Sequence, residues 1–421
     1  MSAAPPRRAA LAFVFATLLV DSIALGIVIP VAPRLVAELG GGGDADGART
    51  YGWFITVGAL VQFFAAPLLG VLSDRVGRRP VLLVSLLGLA VDYVALALAP
   101  TLGWLFAGRV VSAITAATWA AAFAYIADVA PPEARAKAFG RAASGFGLGF
   151  VLGPALGGWL GDVAPRLPFW VAAALTLANA GFGWLALPES LPRERRSTFS
   201  LARANPLGAL ALLRRQRPLV GLACSRFLRG IAHDVQPVVF VLYATHRYGW
   251  TGREVGALLF VIGLAGTAVS AGLVAPLVAR LGERGTLLLG LASGAIAFAG
   301  FGFAPTPLWL YAFVPFEALW WVDGAAMQAL LTRRVDASAQ GELQGALSAL
   351  QSVASLIAPP LFALTYAHFI EPGRAAPVPG AAFYLAGALM FASCALAWAV
   401  TRSPAGEARV AQPPAALETV D

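Results

Sequence analysis

The residues with chemistry to offer sit where charge is most costly. Asp21 and Asp92 each fall in the middle of a long apolar run. Ionisable groups inside membrane segments are rare and mark ion or substrate paths. A desolvated carboxyl exchanges its proton closer to neutral pH than one in water, which is the chemistry of a proton carrier. The plainer reading is that each aspartate hydrogen-bonds to a neighbouring helix. Arg109, in the next apolar run after Asp92, can pair with either carboxylate, or with a backbone carbonyl.

The second half of the chain has its own set. His233 and Asp234 are adjacent in one apolar run, and Glu317 and Asp323 share another. Trp320 and Trp321 follow Glu317 by three and four residues, so one or both can share its helical face. An aromatic ring beside an acid suits a lipophilic cation or a planar substrate, although tryptophans also form interfacial belts.

Several kinds of chemistry are excluded. Lys137 is the only lysine and Ala138 follows it, so there is no Walker A phosphate loop. His233, His246 and His368 cannot form a HExxH motif, and Cys224 and Cys394 both lie in apolar runs. No metal site, cofactor or enzymatic activity is expected. An ion gradient is the remaining source of energy, with the proton as coupling ion.

Two glycine-containing segments could move such a site. In the run from Gly145 to Gly158, Gly149, Gly153 and Gly157 recur every four residues, giving a smooth face for close helix contact. Pro154, followed by Gly157 and Gly158, removes a backbone bond and permits bending. The stretch from Gly70 to Pro80, GVLSDRVGRRP, places Asp74, Arg75, Gly77, Arg78 and Arg79 in a short turn that cannot sit in lipid. With Asp128 these residues form the candidate gate.

The elements that must hold these residues are membrane helices. The chain is 59% hydrophobic and 12% charged, where soluble domains average about 25% charged, and its mean hydropathy is +0.75. Runs long enough to cross a bilayer as helices occur at 10–33, 52–72, 80–100, 103–126, 138–161 and 168–187, then at 218–245, 252–279, 286–304, 307–331, 342–367 and 380–401. Continuous runs such as Val81 to Leu89 argue against a β-barrel. The first run continues through Asp21 without a small-residue cleavage site, and is read as a span and not a signal peptide.

The chain is built by doubling. One constant spacing carries Arg75, Gly77 and Arg79 onto Arg280, Gly282 and Arg284, and Gly140 and Pro154 onto Gly345 and Pro359; Asp74 becomes Ala279. Repeats of this kind mark secondary transporters that bind substrate between the halves. The expected organisation is an all-α integral membrane protein of twelve helices. It comprises an N-terminal six-helix bundle (1–187), a cytoplasmic linker (188–217), a C-terminal six-helix bundle (218–402) and a disordered cytoplasmic tail (403–421). Most of the 30 Lys and Arg residues fall on one side of this arrangement, so both termini are expected in the cytoplasm. The net charge of +8 is spread through short turns and not gathered into a nucleic-acid surface. The linker arginines suit anionic lipid. The expected partners are the bilayer, protons and a small molecule, with the chain acting as a monomer.

The turn from Gly70 to Pro80 resembles the loop signature of the major facilitator superfamily. The stretch from Gly149 to Gly158 resembles the fifth-span antiporter motif of its drug:proton exporters, and Leu105 to Thr118, with Arg109, is similar to their fourth-span motif. Leu19 to Asp21 with Ile29 to Pro33, and Asp92-Tyr93, look like the first and third spans of the tetracycline exporters. The resemblance implies a twelve-span fold and electroneutral exchange of a drug, as a divalent-metal chelate for tetracyclines, against a proton. It also implies that Asp21, Asp74, Asp92 and Arg109 serve proton coupling, gating or drug handling. It places the chain in a bacterial inner membrane.

The resemblance has a departure: Thr286 to Ala304 lacks the carboxylate that those exporters carry in the ninth span, and residues 255–279 lack their eighth-span histidine. A proton-linked carrier of a sugar, organic acid or siderophore on the same fold is the alternative. A receptor or scaffold without transport is a further one, opposed by the cost of so many buried charges.

Overall fold

The computed structural model describes residues 7–196, 217–336, 339–373 and 375–402. The linker arginines Arg203, Arg214 and Arg215 and the tail at 403–421 lie outside the described residues. The first half comprises α1 (Arg7–Val28), α2 (Ala32–Gly40), α3 (Asp44–Val76), α4 (Arg78–Leu98), α5 (Leu102–Thr115), α6 (Thr118–Val129), α7 (Pro132–Val163) and α8 (Leu167–Ala186). The second comprises α9 (Arg217–His233), α10 (Val235–Tyr248), α11 (Gly252–Gly272), α12 (Val274–Phe303), α13 (Pro307–Trp320), α14 (Asp323–Thr332), α15 (Gln340–Phe369) and α16 (Ala381–Val400). No strand occurs among the described residues.

Among the described residues, 10 helices are long and apolar enough to cross a membrane, with Leu102–Val129 taken as one. The other two sequence-predicted spans, at 218–245 and 307–331, are each divided into shorter helices, at Asp234 and at Trp321–Val322. These breaks fall beside the in-span charges. Irregular backbone at membrane depth survives where it is buried in protein or lines a cavity. Large apolar side chains also cover the outside of the bundle, as lipid requires: Leu185 is 87% and Phe391 68% exposed.

Both copies of the basic turn use a glycine for its backbone freedom. Gly77 has φ +116° and Gly282 has φ +70°, a region that other residues rarely enter. The chain thereby reverses within a residue or two between α3 and α4, and kinks inside α12.

The two halves meet at the arginine-poor end. There α7 lies along α11 and α3 along α15, and Ala45 and Ala48 of α3 join the second half's apolar core. Polar bonds reinforce the seam. Arg34 donates to Thr245 Oγ1 at 2.9 Å and to the Trp250 carbonyl, and Arg49 pairs with Glu371 at 2.8 Å. Asp44 meets His246, and Thr251 Oγ1 donates to Asp162 at 3.2 Å.

Candidate functional site

The first-half site is assembled by four helices. Asp92 of α4 is fully buried, and its Oδ2 lies 3.3 Å from Nη1 of Arg109 on α5. Neither Asp92 oxygen makes a well-formed hydrogen bond, and Arg109 Nε is likewise unpartnered. The pair is therefore loose. The Phe54 ring of α3 lies 4.7 Å from the guanidinium and supports its open face. Asp21 of α1 is 4% exposed with Oδ1 unbonded, and Trp119 of α6 lies beside it. Tyr93 lies within electrostatic reach of Asp21, Asp92 and Arg109, which binds the set into one cluster.

The glycine run of α7 is what holds Asp21 in place. A Cβ at Gly149 would stand 2.6 Å from the Ser22 Cβ, and one at Gly153 would stand 2.6 Å from the Gly26 Cα. Gly157 presses on the Ile27 backbone. The face of α1 next to Asp21 thus rests on bare backbone. The same helix also makes the seam between the halves: Gly158 abuts Gly252, and the Pro154 carbonyl abuts Gly256.

The second-half site is tighter. Arg229 of α9 grips Asp323 with two bonds, Nε to Oδ2 at 2.5 Å and Nη2 to Oδ1 at 2.8 Å. Asp323 begins α14, where free helix N–H groups favour negative charge. Trp320 Nε1 donates to Asp323 Oδ2 at 3.0 Å, and its ring lies 5.1 Å from the Arg229 guanidinium. The sequence-based expectation joined the tryptophans to Glu317. Instead Trp320, three residues from Asp323 as from Glu317, donates to Asp323, and Trp321, in the break itself, covers Gly266 of α11. Glu317 is 1% exposed and takes one bond, from Gln236 Nε2 at 2.5 Å, which leaves Oε2 unpartnered. His233 pairs with Asp234 at 3.1 Å and lies against Trp320.

The basic turn is a knot inside the first half. Arg78 pairs with Asp74 at 2.6 Å and with Asp128 at 3.2 Å, and its backbone N–H donates to Glu189 at 2.8 Å. Ser190 donates to Asp128, and Arg79 donates to the Trp184 carbonyl. Arg75 is exposed, and a Cβ at Gly70 would meet open space. Packing therefore does not require glycine at position 70. In the second half, Glu283 pairs with Arg333 at 2.8 Å and Arg284 donates to Thr401 at 3.0 Å. The constant spacing carries Arg78 onto Glu283 and Asp128 onto Arg333, so the same ion pair recurs with its polarity reversed. A cavity of about 920 Å³ opens at this end between α1, α6 and α7, with Phe15, Lys137 and Arg141 in its wall.

Sequence reasoning missed Arg229, Gln236, Glu189 and Ser190. Arg229 left a usable signal, since a buried Asp323 needs a cation and few lie within apolar runs. Gln236 left none, because a neutral amide does not stand out.

A helical membrane bundle of two related halves, sealed at one face and holding ion pairs in its interior, is the architecture of a secondary transporter. The chain belongs to the major facilitator superfamily, whose family model matches residues 14–359 and 222–419. It is 36% identical to the class C tetracycline resistance protein of Escherichia coli, over 89% of this chain and 94% of that one. It is 37% identical to the class G protein of Vibrio anguillarum, over 82% of this chain and 87% of the relative. In fold it resembles the human organic anion transporter MFSD10, with a TM-score of 0.70 at 23% identity, over 94% of this chain and 100% of that structure.

Proposed function

We propose that the chain is a proton-coupled exporter of a tetracycline-like, amphiphilic small molecule, working by alternating-access antiport. The observation that carries this reading is the loose Asp92–Arg109 pair, its carboxylate fully buried, in one cluster with Asp21, in a chain 36% identical to a tetracycline resistance protein. The functional units are the two six-span halves at 1–187 and 218–402. The protein acts as a monomer in a bacterial inner membrane, with both termini in the cytoplasm.

Under the positive-inside rule the arginine-rich face is cytoplasmic, so the sealed seam is the outer one and the state is inward-facing. Substrate enters from the cytoplasmic side. Asp21 and Asp92 then take proton and substrate by turns, a metal chelate being cargo. Protonating Asp92 removes its attraction for Arg109 and frees the guanidinium to shift over Phe54. Deprotonation restores the pair and resets the first half. Because α1 rests on the glycines of α7, a change at Asp21 reaches the outer seam through Pro154 and Gly158. The knot at Arg78 keeps the cytoplasmic ends of the first half rigid, ready to meet the second half when the outer side opens.

A unit of pH difference supplies about 1.4 kcal/mol per proton, enough for about a tenfold substrate gradient, and in an electroneutral exchange the membrane potential, which acts on net charge moved, adds nothing. The test is proton-driven tetracycline uptake into inverted vesicles. Asp21→Asn and Asp92→Asn should each abolish it, and survival of uptake in both variants would refute the assignment.

A further inference from the structure

Three arginines lie within the predicted spans, and two of them have carboxylate partners, Arg109 with Asp92 and Arg229 with Asp323. The third, Arg226, has none among the described residues. Its Nε is buried without a hydrogen-bond partner. Its charged neighbours are Arg229 and Asp323, and both Asp323 oxygens are already engaged by Arg229 and Trp320. Around Arg226, then, two guanidiniums face one carboxylate.

The direction of this charge follows from the helix. Positions 226, 229 and 233 share one side of α9. Val220 and Cys224 lie on the opposite side and are exposed as lipid-facing residues. His233, on the same side as Arg226, has 53% of its side chain exposed, so that side borders open space. The constant spacing between the halves carries Asp21 onto Arg226. Equivalent positions of the two halves thus hold opposite charges, an acid with an unbonded oxygen in one and an unpartnered guanidinium in the other.

An unpaired cation at membrane depth is costly, and a guanidinium with free donors matches a planar anionic group in two-bond geometry. We propose that Arg226 is the anion-binding residue of the substrate site, which makes the transported class amphoteric. An acidic group (carboxylate or delocalised enolate) docks on Arg226, and the donor-rich or cationic end faces Asp21. This rests on the export reading above and narrows its substrate.

The test is binding to the full-length protein in nanodiscs, with three probes: tetracycline as the amphoteric compound, salicylate as an aromatic anion, and tetraphenylphosphonium as a cation. Arg226→Gln should weaken tetracycline and salicylate about tenfold or more, the scale of a charge-assisted bond, without weakening tetraphenylphosphonium. Arg226→Lys should recover part of the loss. On the wild-type protein, salicylate should compete with tetracycline, a measurement that needs no variant to fold. Equal weakening of all three probes, unchanged tetracycline and salicylate binding, or binding of both compounds without competition would overturn the proposal. Wild-type protein that binds only the cation would also overturn it. Arg226-dependent salicylate binding without any tetracycline binding would uphold the anion site and withdraw the export reading.

Discussion

The seam between α7 and α11 offers a perturbation that acts on one conformational state alone. Gly256 sits against the Pro154 carbonyl: a methyl there would run into the oxygen and stand 3.1 Å from the carbonyl carbon and 3.3 Å from Gly158 Cα. Ordinary carbon contacts need about 3.5–4.0 Å, and the obstacle is backbone that cannot rotate away. Overpacking of this kind costs about 1–3 kcal/mol. The gain in helix propensity from Gly to Ala is present in every state and cancels. The cost falls only where the outer seam is closed, so Gly256→Ala should shift the equilibrium toward the outward-open state by roughly 5–150-fold. Spin labels at Val163→Cys and Arg253→Cys, with Cys224 and Cys394 replaced, would report this as a longer distance, alongside reduced drug efflux. Gly252→Ala should be mild, since its methyl would stand 3.3 Å from the Gly158 oxygen, and Gly147→Ala should be neutral, since nothing lies within 4 Å. Unchanged distances and efflux in Gly256→Ala would refute the reasoning.

Asp323→Asn should lower thermal stability in detergent sharply, on the order of 3–5 kcal/mol, because it leaves Arg229 without its two-bond partner in a buried site. Asp92→Asn, which breaks a single 3.3 Å contact, should cost less stability while abolishing transport. Arg78→Ala should depress both melting temperature and efflux, since Arg78 joins Asp74 and Asp128 while only 13% exposed. Arg333→Ala should lower the melting temperature less than Arg78→Ala, since Arg333 is 75% exposed although its partner Glu283 is 14% exposed. Glu317→Gln should reduce the protons moved per substrate in vesicles, and unchanged coupling would remove Glu317 from the proton path.

Much of this was legible in the sequence for a physical reason. Charge in an apolar run is so costly that Asp21, Asp92 and Arg109 stand out, and the structure brings them together. The spacing of Gly149, Gly153 and Gly157 likewise announced a close helix contact, and α1 supplies it. The breaks at Asp234 and Trp321–Val322 were hidden, because apolar composition runs straight through them while the backbone does not. Trp320 lies three residues from both Glu317 and Asp323, so spacing alone could not choose between them, and the structure gives its N–H to Asp323. Glu189 and Ser190 lie in a polar segment where one more acid or hydroxyl carries no signal. The reversed ion pair, Arg78–Asp128 against Glu283–Arg333, is present in the sequence, but it acquires meaning only once both pairs are seen to close.

The central claim is obligatory exchange of drug for protons through Asp92 and Asp21. It is tested most directly by purified protein in proteoliposomes, with drug movement and internal pH recorded together. An imposed pH gradient should drive tetracycline against its own gradient, and an imposed tetracycline gradient should move protons in the opposite direction. Both fluxes should vanish in Asp92→Asn. Tetracycline flux that proceeds without proton movement, or that persists in Asp92→Asn, would contradict the account.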